Sequence, residues 1–321
     1  MIRLPDHWQR RDAVSVALWP LSLLFGALVA LRRALYRAGW LRSVRSPVPV
    51  IVVGNITVGG TGKTPLTIWL AQFLAQQGFR PGIVTRGYGG SARNWPLEVT
   101  AGSDAALAGD EPVLLARHAG CPVLVDPDRA RGAHALTKHG RCDLILSDDG
   151  LQHYRLARDV EIAVIDGARR FGNGWLLPAG PLREPPSRLA SVDLRVVQGG
   201  VAGSGEFAMS LTPNELVRVC NRATSGLDSF RDARVHAVAG IGHPARFFAT
   251  LRSLGMEVLE HPFPDHHRFV PGDIAFDDEL PVIMTEKDAV KCQHFAESDW
   301  WYLAVTAEPD TGFGERLLKL L

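Results

Sequence analysis

A short glycine-rich loop between a predicted strand and a predicted helix constrains this chain more than any other feature. Residues 50–53 form a continuous β-branched run, which is typical of a strand buried in a parallel sheet. From Pro65 onward apolar residues recur at helical spacing, and Gly78 is a suitable C-terminal stop. Pro65 is compatible with this helix because a first-turn residue has no intrahelical N–H bond to lose. The segment therefore predicts a strand, a loop and a helix in immediate succession.

The loop matches most of the Walker A pattern, G-x-x-x-x-G-K-[ST]. Its last three positions fit, whereas Thr57 replaces the first glycine. Adjacent glycines let backbone N–H groups approach phosphate oxygens, and the helix N-terminus adds positive dipole character. In this pattern Lys63 reaches the β- and γ-phosphates of a nucleotide, and the Thr64 hydroxyl is a ligand of Mg²⁺. A glycine-rich turn that contains GKT by chance is the alternative, which the flanking elements disfavour. The predicted nucleotide-binding residues are Thr57, Val58, Gly59, Gly60, Thr61, Gly62, Lys63 and Thr64.

A second acidic site follows a later strand. The strand-like run at residues 143–147, which is apolar at its three central positions, leads directly into Asp148 and Asp149, which Gly150 follows. This resembles a Walker B feature, which places carboxylates at the carboxyl end of a sheet next to the phosphate loop. An Asp-Asp-Gly turn is the alternative. Both aspartates are therefore candidate metal ligands, and the choice between them stays open.

The remaining pattern predicts an α/β protein with a P-loop-type, doubly wound parallel sheet and a second, smaller α/β domain. Helical stretches separate most of the strand-like runs. In the second domain a strand at 235–240 and a helix at 244–254 precede two more strand-like runs. We predict an N-terminal hydrophobic helical segment at 1–48, a P-loop domain at 49–204 and the smaller domain at 205–321. The strand-like runs of the P-loop domain lie near 50–53, 82–85, 122–125, 143–147, 161–165 and 192–197.

The N-terminal segment is the most apolar part of the chain. Residues 13–31 hold no charge, and as a helix they would span about 28 Å, close to the ~30 Å of a bilayer core. Pro20 and Gly26 weaken this run, and pairs of arginines flank it on both sides. A cleaved signal peptide is disfavoured, since no small-residue cleavage site follows. A buried helix of a soluble domain remains an alternative. We predict membrane attachment, either spanning or lying in the interface.

Charge and cysteine content exclude several other functions. Residues 1–49 carry eight arginines and two aspartates, whereas the rest of the chain is slightly acidic. A nucleic-acid-binding protein would show a basic face on its main body. The four cysteines are scattered with no C-x-x-C pair, so neither a zinc site nor a disulfide framework is predicted.

Seven motifs spread along the chain are distinctive in combination. They are V-G-N-I-T-V-G-G-T-G-K-T-P (53–65), T-R-G-Y-G-G (85–90), G-D-E-P (109–112), D-D-G-L-Q-H (148–153), L-P-A-G-P-L-R-E-P (177–185), F-P-D-H-H (263–267) and T-E-K-D-A-V-K (285–291). Together they closely resemble the tetraacyldisaccharide 4′-kinase family of lipid A synthesis. The resemblance covers nearly the whole chain, and Thr57 fits this family's own form of the loop.

The resemblance implies a membrane-associated kinase at the cytoplasmic face of the bacterial inner membrane, attached through the N-terminal hydrophobic helix. The enzyme would transfer the γ-phosphoryl group of ATP to the 4′-hydroxyl of a tetraacylated glucosamine disaccharide 1-phosphate, giving a lipid IVA-type product. Its cofactors would be ATP and Mg²⁺. Its partners would be the lipid A disaccharide 1-phosphate and the inner-membrane lipid surface, with no nucleic acid and no obligate protein partner.

The resemblance also assigns residues to the reaction. Asp110 is the candidate acceptor of the hydroxyl proton, although its position near a helix start alone would indicate a capping residue. A histidine of the F-P-D-H-H motif would partner that aspartate, and we favour His266 over His267. Lys63 completes the catalytic set by offsetting phosphate charge. Glu184 is a candidate nucleotide-pocket residue, with a role in pinning a proline-rich loop as the alternative.

Other functions are compatible with parts of the sequence. A membrane-bound P-loop ATPase or GTPase switch would hydrolyse nucleotide without a lipid acceptor. A cytosolic enzyme of the dethiobiotin synthetase type would use the N-terminal run as core. A membrane scaffold without activity would leave Lys63 and the two aspartates unexplained. The T-E-K-D run superficially resembles the guanine-reading N-K-x-D motif, but Glu286 occupies the lysine position, so ATP is preferred to GTP.

Overall fold

One continuous sheet runs through the part of the chain that the computed structural model describes, residues 6–321. Its thirteen strands are β1 (Val50–Gly54), β2 (Pro81–Thr85), β3 (Leu97–Val99), β4 (Val123–Val125), β5 (Leu144–Ser147), β6 (Val160–Asp166), β7 (Leu194–Gln198), β8 (Phe207–Arg218), β9 (Thr224–Ser225), β10 (Arg234–Ala239), β11 (Glu257–Pro262), β12 (Val282–Thr285) and β13 (Trp300–Pro309). Neighbouring strands follow the order β11-β10-β12-β13-β8-β7-β6-β1-β5-β2-β4-β3, and β9 pairs with β8 beside this path. Most neighbours are parallel, so crossover connections rather than tight hairpins join them.

Helices supply several of these crossovers, both in the first part of the sheet (strands β1–β7) and in the second part (strands β8–β13). One helix follows β1, another lies between β4 and β5, and a third lies between β10 and β11. This alternation confirms the predicted α/β fold with a mostly parallel sheet. The α-helices within residues 6–321 are α1 (Ala13–Arg37), α2 (Lys63–Gln76), α3 (Ala105–Ala108), α4 (Asp110–His118), α5 (Arg129–Thr137), α6 (Pro244–Ser253), α7 (Glu286–Cys292) and α8 (Thr311–Leu318).

Strand β1 is central to the first part of the sheet because both of its faces are covered. All five of its residues are buried, as the β-branched run predicted. Ile51 lies opposite Leu146 of β5, and Val53 lies opposite Ile162 of β6, in parallel register. Ile51 and Val53 join the core on one face, and Val52 joins the core on the other. The loop that follows β1 is therefore held at the carboxyl end of a rigid, doubly covered strand.

The second part of the sheet begins with the long strand β8. Its start pairs in parallel with β7, and most of its length pairs antiparallel with β13. Strands β10, β12 and β13 then continue in parallel, with separate cores on their two faces. The chain finally returns to the first part of the molecule. Phe313 of α8 is fully buried, and its ring centroid lies 5.6 Å from that of Trp69 of α2.

Helix α1 begins after Asp12, whose side chain accepts a hydrogen bond from the Ser15 N–H. One face of the helix is docked on the body, because Ser22 is buried and its hydroxyl donates to the Leu176 carbonyl at 2.8 Å. The opposite face is exposed, and Leu24 is 59% accessible. The helix is long and apolar enough to cross a membrane by length and composition, with a mean hydropathy of 2.2 in its most apolar window. The predicted segment starts at residue 1, and residues 1–5 lie outside the described part of the chain.

Candidate active site

The phosphate loop connects the end of β1 to the start of α2, which begins at Lys63, so that Pro65 lies in its first turn as predicted. Gly59 and Gly62 have φ values of 95° and 86°, a region that L side chains rarely adopt. Gly62 caps α2 without any side-chain hydrogen bond. The first N–H groups of α2 therefore have no capping side chain and remain available to an anion.

Three hydrogen bonds fix the phosphate loop to its surroundings. The Val58 N–H donates to the Pro181 carbonyl at 2.9 Å. The Asn55 side-chain amide donates to the Thr61 hydroxyl at 3.2 Å. Arg169, which follows β6, donates to the Gly60 carbonyl at 2.7 Å. These contacts use the N–H of Val58 but none of the N–H groups of residues 59–64.

Lys63 and Asp149 form an ion pair beside the loop. The Lys63 Nζ lies 3.4 Å from Asp149 Oδ1, and Arg183 Nη1 lies 3.2 Å from the same oxygen. The buried Arg129 donates to the Asp149 backbone carbonyl at 3.0 Å. Burial would raise the pKa of Asp149, but Lys63, Arg183 and Arg129 lower it to about 2. Asp149 is therefore an ionised carboxylate surrounded by three cations.

Asp148 has a different environment from its neighbour. It is completely buried, and its Oδ1 accepts a hydrogen bond from the Thr67 hydroxyl at 3.2 Å. Its Oδ2 has no hydrogen-bond partner. Burial and the nearby Glu111 carboxylate raise the pKa of Asp148 to about 7. An orphaned carboxylate oxygen beside a threonine-lysine pair fits a hard divalent cation.

No three His, Cys, Asp or Glu side chains converge into a complete metal site among the described residues. Mg²⁺ in nucleotide enzymes usually needs fewer protein ligands than such a cluster would supply. The ion takes one or two protein ligands and completes its shell with water and phosphate oxygens. The oxygen donors of Thr64, Asp148 and Asp149 suit that kind of binding.

Asp110 and His266 meet across the two parts of the sheet. Asp110 is the first residue of α4 and is 5% exposed, and its Oδ1 accepts the Glu111 N–H at 2.8 Å. Its Oδ2 lies 3.2 Å from His266 Nδ1. Burial would raise the pKa of Asp110, but His266 and Lys287 lower it to about 2. The other histidine of the motif, His267, instead pairs with Asp273 at 2.9 Å.

The Asp110–His266 pair lines a cavity of about 710 Å³ between the two parts of the molecule. Tyr88 packs on His266 with ring centroids 4.7 Å apart at the edge of this cavity. The cavity also reaches Arg268. The carboxylate that was predicted as a proton acceptor is therefore open to a ligand on one side.

Glu184 lies behind the phosphate loop rather than in it. It is 1% exposed, and its carboxylate accepts hydrogen bonds from Tyr154 and from Gln152, the latter at 3.1 Å. The same Gln152 amide donates to the Asn55 carbonyl at 3.0 Å. Burial and Glu184 raise the pKa of Tyr154 to about 12. Glu184 is thus connected to the loop through Gln152 and Asn55.

Three contacts around the site were missed by sequence reasoning. Arg129 contacts the Asp149 backbone although no recognised motif contains it. Arg246 of α6 lies 3.2 Å from Asp166 at the end of β6, and so joins the second part of the sheet to the first. Gly242 also approaches the loop closely, since an added Cβ there would lie 3.1 Å from the Gly60 nitrogen. Such contacts depend on tertiary structure and leave no local pattern.

Comparison with known proteins adds a consistent result. The family described as tetraacyldisaccharide-1-P 4′-kinase matches residues 14–321. The tetraacyldisaccharide 4′-kinase of Nitrosococcus oceani is 51% identical over 315 residues, covering 98% of this chain and 93% of the relative. That of Alkalilimnicola ehrlichii is 54% identical over 319 residues, covering 99% and 96%. The crystal structure of LpxK from Aquifex aeolicus in complex with ATP superimposes with a TM-score of 0.80 at 27% identity, covering 96% of this chain and 99% of that one.

Proposed function

The chain belongs to the tetraacyldisaccharide 4′-kinase family, and from this premise we propose which of its residues carry out the reaction. The reaction is the ATP-dependent phosphorylation of the 4′-hydroxyl of tetraacyldisaccharide 1-phosphate, a step of lipid A biosynthesis that gives lipid IVA. The family match over residues 14–321 carries this conclusion. It confirms the function predicted from the motifs, and a switch without a lipid acceptor is not retained.

Residues 57–64 bind the phosphates of ATP in this proposal. The solved relative holds ATP, which supports nucleotide binding by the same fold. Backbone N–H groups and the N-terminus of α2 provide a site for an anion. The Lys63 ammonium lies 3.4 Å from Asp149. When ATP binds, this ammonium would contact phosphate oxygens in place of the carboxylate. Glu184 supports the loop indirectly, through Gln152 and Asn55.

Mg²⁺ would be held by Thr64 together with the two aspartates. We favour Asp148 as the direct ligand, because its Oδ2 is buried without a partner. Asp149 already has Lys63, Arg183 and Arg129 as neighbours, so it suits a role in holding the lysine or a metal-bound water. When bound, the ion would neutralise charge on the β- and γ-phosphates.

Asp110 accepts the proton of the 4′-hydroxyl in this proposal. The hydroxyl oxygen forms a bond to the γ-phosphorus, the bond to the ADP oxygen breaks, and the proton passes to Asp110. A carboxylate with a pKa of about 2 is a weak base for a free alcohol. In a loose phosphoryl-transfer transition state, however, the proton leaves late, when the hydroxyl has become strongly acidic. His266 orients the carboxylate through the 3.2 Å contact.

Helix α1 attaches the enzyme to the membrane surface in this proposal, and it lies in the interface rather than spanning. Its polar face is held on the body by Ser22 and by the 2.8 Å contact between Arg33 and Ser191. Trp19 packs near Trp175, with ring centroids 6.3 Å apart. A helix docked along its length cannot cross a bilayer without leaving the body. The exposed apolar face suits the lipid boundary, and the use of ATP supports a position at the cytoplasmic face of the inner membrane.

The three-part division at 1–48, 49–204 and 205–321 is also a proposal. Separate buried cores on the two parts of the sheet support it. The last segment contributes to both parts, because Phe313 and Leu317 of α8 belong to the core beside α2. The boundary at residue 205 therefore divides the sheet but not every core.

Transfer of labelled γ-phosphate from ATP to tetraacyldisaccharide 1-phosphate tests this proposal. Purified protein in detergent is expected to transfer the label to the lipid. Without the lipid, it is expected to release little inorganic phosphate. Lys63→Met is expected to lose about a hundredfold or more of this transfer, because one charge-stabilising donor is removed. Lys319→Met, at an exposed lysine of the C-terminus, is the control and should retain full transfer. Label that appears only as inorganic phosphate would contradict the kinase activity, and normal transfer by Lys63→Met would contradict the assigned loop.

A further inference from the structure

Lys287 of α7 lies where the two parts of the molecule meet, and neither the motifs nor the proposed mechanism assign it a role. Its side chain is 18% exposed, and its Nζ lies 3.1 Å from Glu111 Oε1. The same atom is 3.6 Å from Asp265 Oδ1 and 4.0 Å from Asp110 Oδ2. One ammonium group therefore contacts carboxylates of α4 in the first part and of the F-P-D-H-H loop in the second.

The contact that decides its role is with His266. Lys287 Nζ lies 3.3 Å from His266 Nε2. An ammonium group has only donors, so Nε2 must accept and cannot carry a proton. The proton of the neutral imidazole is then on Nδ1, which faces Asp110 Oδ2 at 3.2 Å. The donors and acceptors are ordered from Lys287 through His266 to Asp110.

We propose that Lys287 is a positioning residue for phosphoryl transfer, because its ammonium fixes His266 as the Nδ1–H tautomer and thereby holds the Asp110 carboxylate in place. This inference rests on the proposed roles of Asp110 and His266. The residue acts through the imidazole and through charge. It has no assigned contact with the reacting atoms.

The charge on Lys287 is secured by its surroundings. Burial alone would lower the pKa of this lysine, but Glu111, Asp110 and Asp265 raise it above its ordinary value. It therefore remains an ammonium throughout the range in which the enzyme can be assayed. In its absence three carboxylates would face one another in a partly buried space, and the donor that keeps His266 Nε2 an acceptor would be lost.

The fold around Lys287 is held by other residues of the same motif. The Thr285 hydroxyl caps α7 by accepting the Asp288 N–H. The completely buried Asp288 accepts the Gly240 N–H at 2.9 Å and pairs with Lys291 at 2.6 Å. Because these contacts anchor α7, the Lys287 side chain can be replaced with limited effect on the helix.

The experiment compares Lys287→Met, which keeps the length but not the charge, with Lys287→Arg, which keeps the charge. Full-length protein is assayed for kcat and for the KM of ATP, and Lys319→Met is the matched control. Lys287→Met is expected to lose about tenfold to a hundredfold in kcat, the scale of a misplaced catalytic group, with the KM of ATP changed by less than about threefold. Lys287→Arg is expected to recover most of kcat, and Lys319→Met to behave as wild type.

A direct readout is the nitrogen NMR spectrum of ¹⁵N-histidine-labelled protein, with His266 assigned by its disappearance in His266→Gln. The wild type and Lys287→Arg should show the Nδ1–H tautomer, and Lys287→Met should lose that signature. Two results would overturn the proposal. One is a wild-type kcat in Lys287→Met. The other is a kcat loss without any change at His266 and without rescue by arginine, which would mean a purely structural role.

The same assay separates this inference from the proposed function. Asp110→Asn and His266→Gln are measured beside the Lys287 variants. If both retain wild-type turnover, the proposed roles of Asp110 and His266 are wrong, and the inference is overturned with them. If both lose turnover while Lys287→Met does not, the proposed roles stand and only the role of Lys287 is wrong.

Discussion

His266 Nδ1 lies 3.2 Å from Asp110 Oδ2, although 156 positions separate the two residues in the chain. Asp110 begins α4 in the first part of the molecule, and His266 follows β11 in the second. The proposed proton acceptor is therefore complete only when both parts are in contact. Arg246 and Asp166 make a second contact of this kind beside the phosphate loop. We therefore expect phosphoryl transfer to depend on how the two parts meet.

The first prediction concerns the two members of this pair. Asp110→Asn removes the proton acceptor but keeps the shape, so kcat for lipid phosphorylation should fall by about 10²-fold to 10⁴-fold. His266→Gln keeps a polar group near Asp110 but not the imidazole, and a smaller loss is expected. The KM of ATP should change little in either variant, because neither residue belongs to the phosphate loop. Steady-state transfer of labelled phosphate to the lipid measures both constants.

His267→Gln is the control for this prediction, since His267 pairs with Asp273 instead. It should retain most of the wild-type kcat. A loss in His267→Gln as large as that in His266→Gln would show that the two histidines had been assigned the wrong way round.

The strand, loop and helix around residues 57–64 could be predicted because this arrangement is local. Strand, loop and helix are consecutive, so the position of Lys63 and Thr64 follows from their own neighbours. The Asp110–His266 contact has no such local basis, and the residues alone favoured a capping role for Asp110. Only the resemblance to a known family paired it with a histidine.

Other parts of the fold were missed for physical reasons that can be named. Strand β8 (Phe207–Arg218) mixes polar and apolar residues because only part of it is buried, so no strand pattern was recognised. The packing of α8 on α2 joins residues more than 240 positions apart, which no periodicity encodes. The environments of Asp148 and Asp149 differ through contacts with Thr67, Lys63 and Arg183, and adjacent identical residues cannot reveal such a difference.

The second prediction concerns stability in acid. His153 is partly buried, and its Nδ1 has no hydrogen-bond partner. Burial and the nearby Arg129 lower the pKa of His153 from 6.5 to about 4. The unfolded chain takes up this proton below about pH 6.5, whereas the folded chain takes it up only near pH 4. Because the folded state keeps His153 neutral, the free energy of unfolding decreases as pH falls from about 6.5 to 4.

Replacing His153 with glutamine removes this titration. The thermal midpoint of His153→Gln should fall less between pH 7.5 and pH 5 than that of the wild type, measured without nucleotide in the same detergent. All other titrating groups are shared, so the difference between the two pH profiles reports on His153. Parallel profiles would contradict the assigned protonation of this residue.

The third prediction concerns membrane attachment. Leu24 and Leu28 are 59% and 57% exposed on the free face of α1. Leu24→Asp or Leu28→Asp should weaken binding to vesicles with anionic lipid by about tenfold to a hundredfold, because an apolar contact with lipid is replaced by a charge. Sedimentation with vesicles measures the bound fraction. Val201→Asp changes an apolar residue that is 90% exposed outside α1, and it should bind as wild type.

The docked face of α1 provides the opposite test. Ser22→Ala removes the hydrogen bonds to Leu176 and Ala179 but leaves the exposed face intact. It should lower the thermal midpoint while vesicle binding is retained. If Ser22→Ala released the protein from vesicles while Leu24→Asp did not, the assignment of the two faces would be wrong.

The last prediction concerns the return of the chain to the phosphate-loop part. Phe313 of α8 is fully buried between Trp69 and Phe207, with ring centroids 5.6 Å and 5.5 Å away. Phe313→Ala should cost about 3–5 kcal/mol of unfolding free energy, because it leaves a cavity beside α2. Since α2 begins at Lys63, this variant should also raise the KM of ATP.

Phe248→Ala is the matched control, because Phe248 is equally buried but belongs to the core of the second part. It should lose a similar free energy of unfolding in a urea titration and leave the KM of ATP nearly unchanged, since that core includes no residue of α2. Equal changes in the KM of ATP in both variants would mean that nucleotide binding follows overall stability rather than the packing of α8 on α2. A higher KM of ATP in Phe313→Ala alone would show that residues 311–321 support nucleotide binding by the phosphate loop.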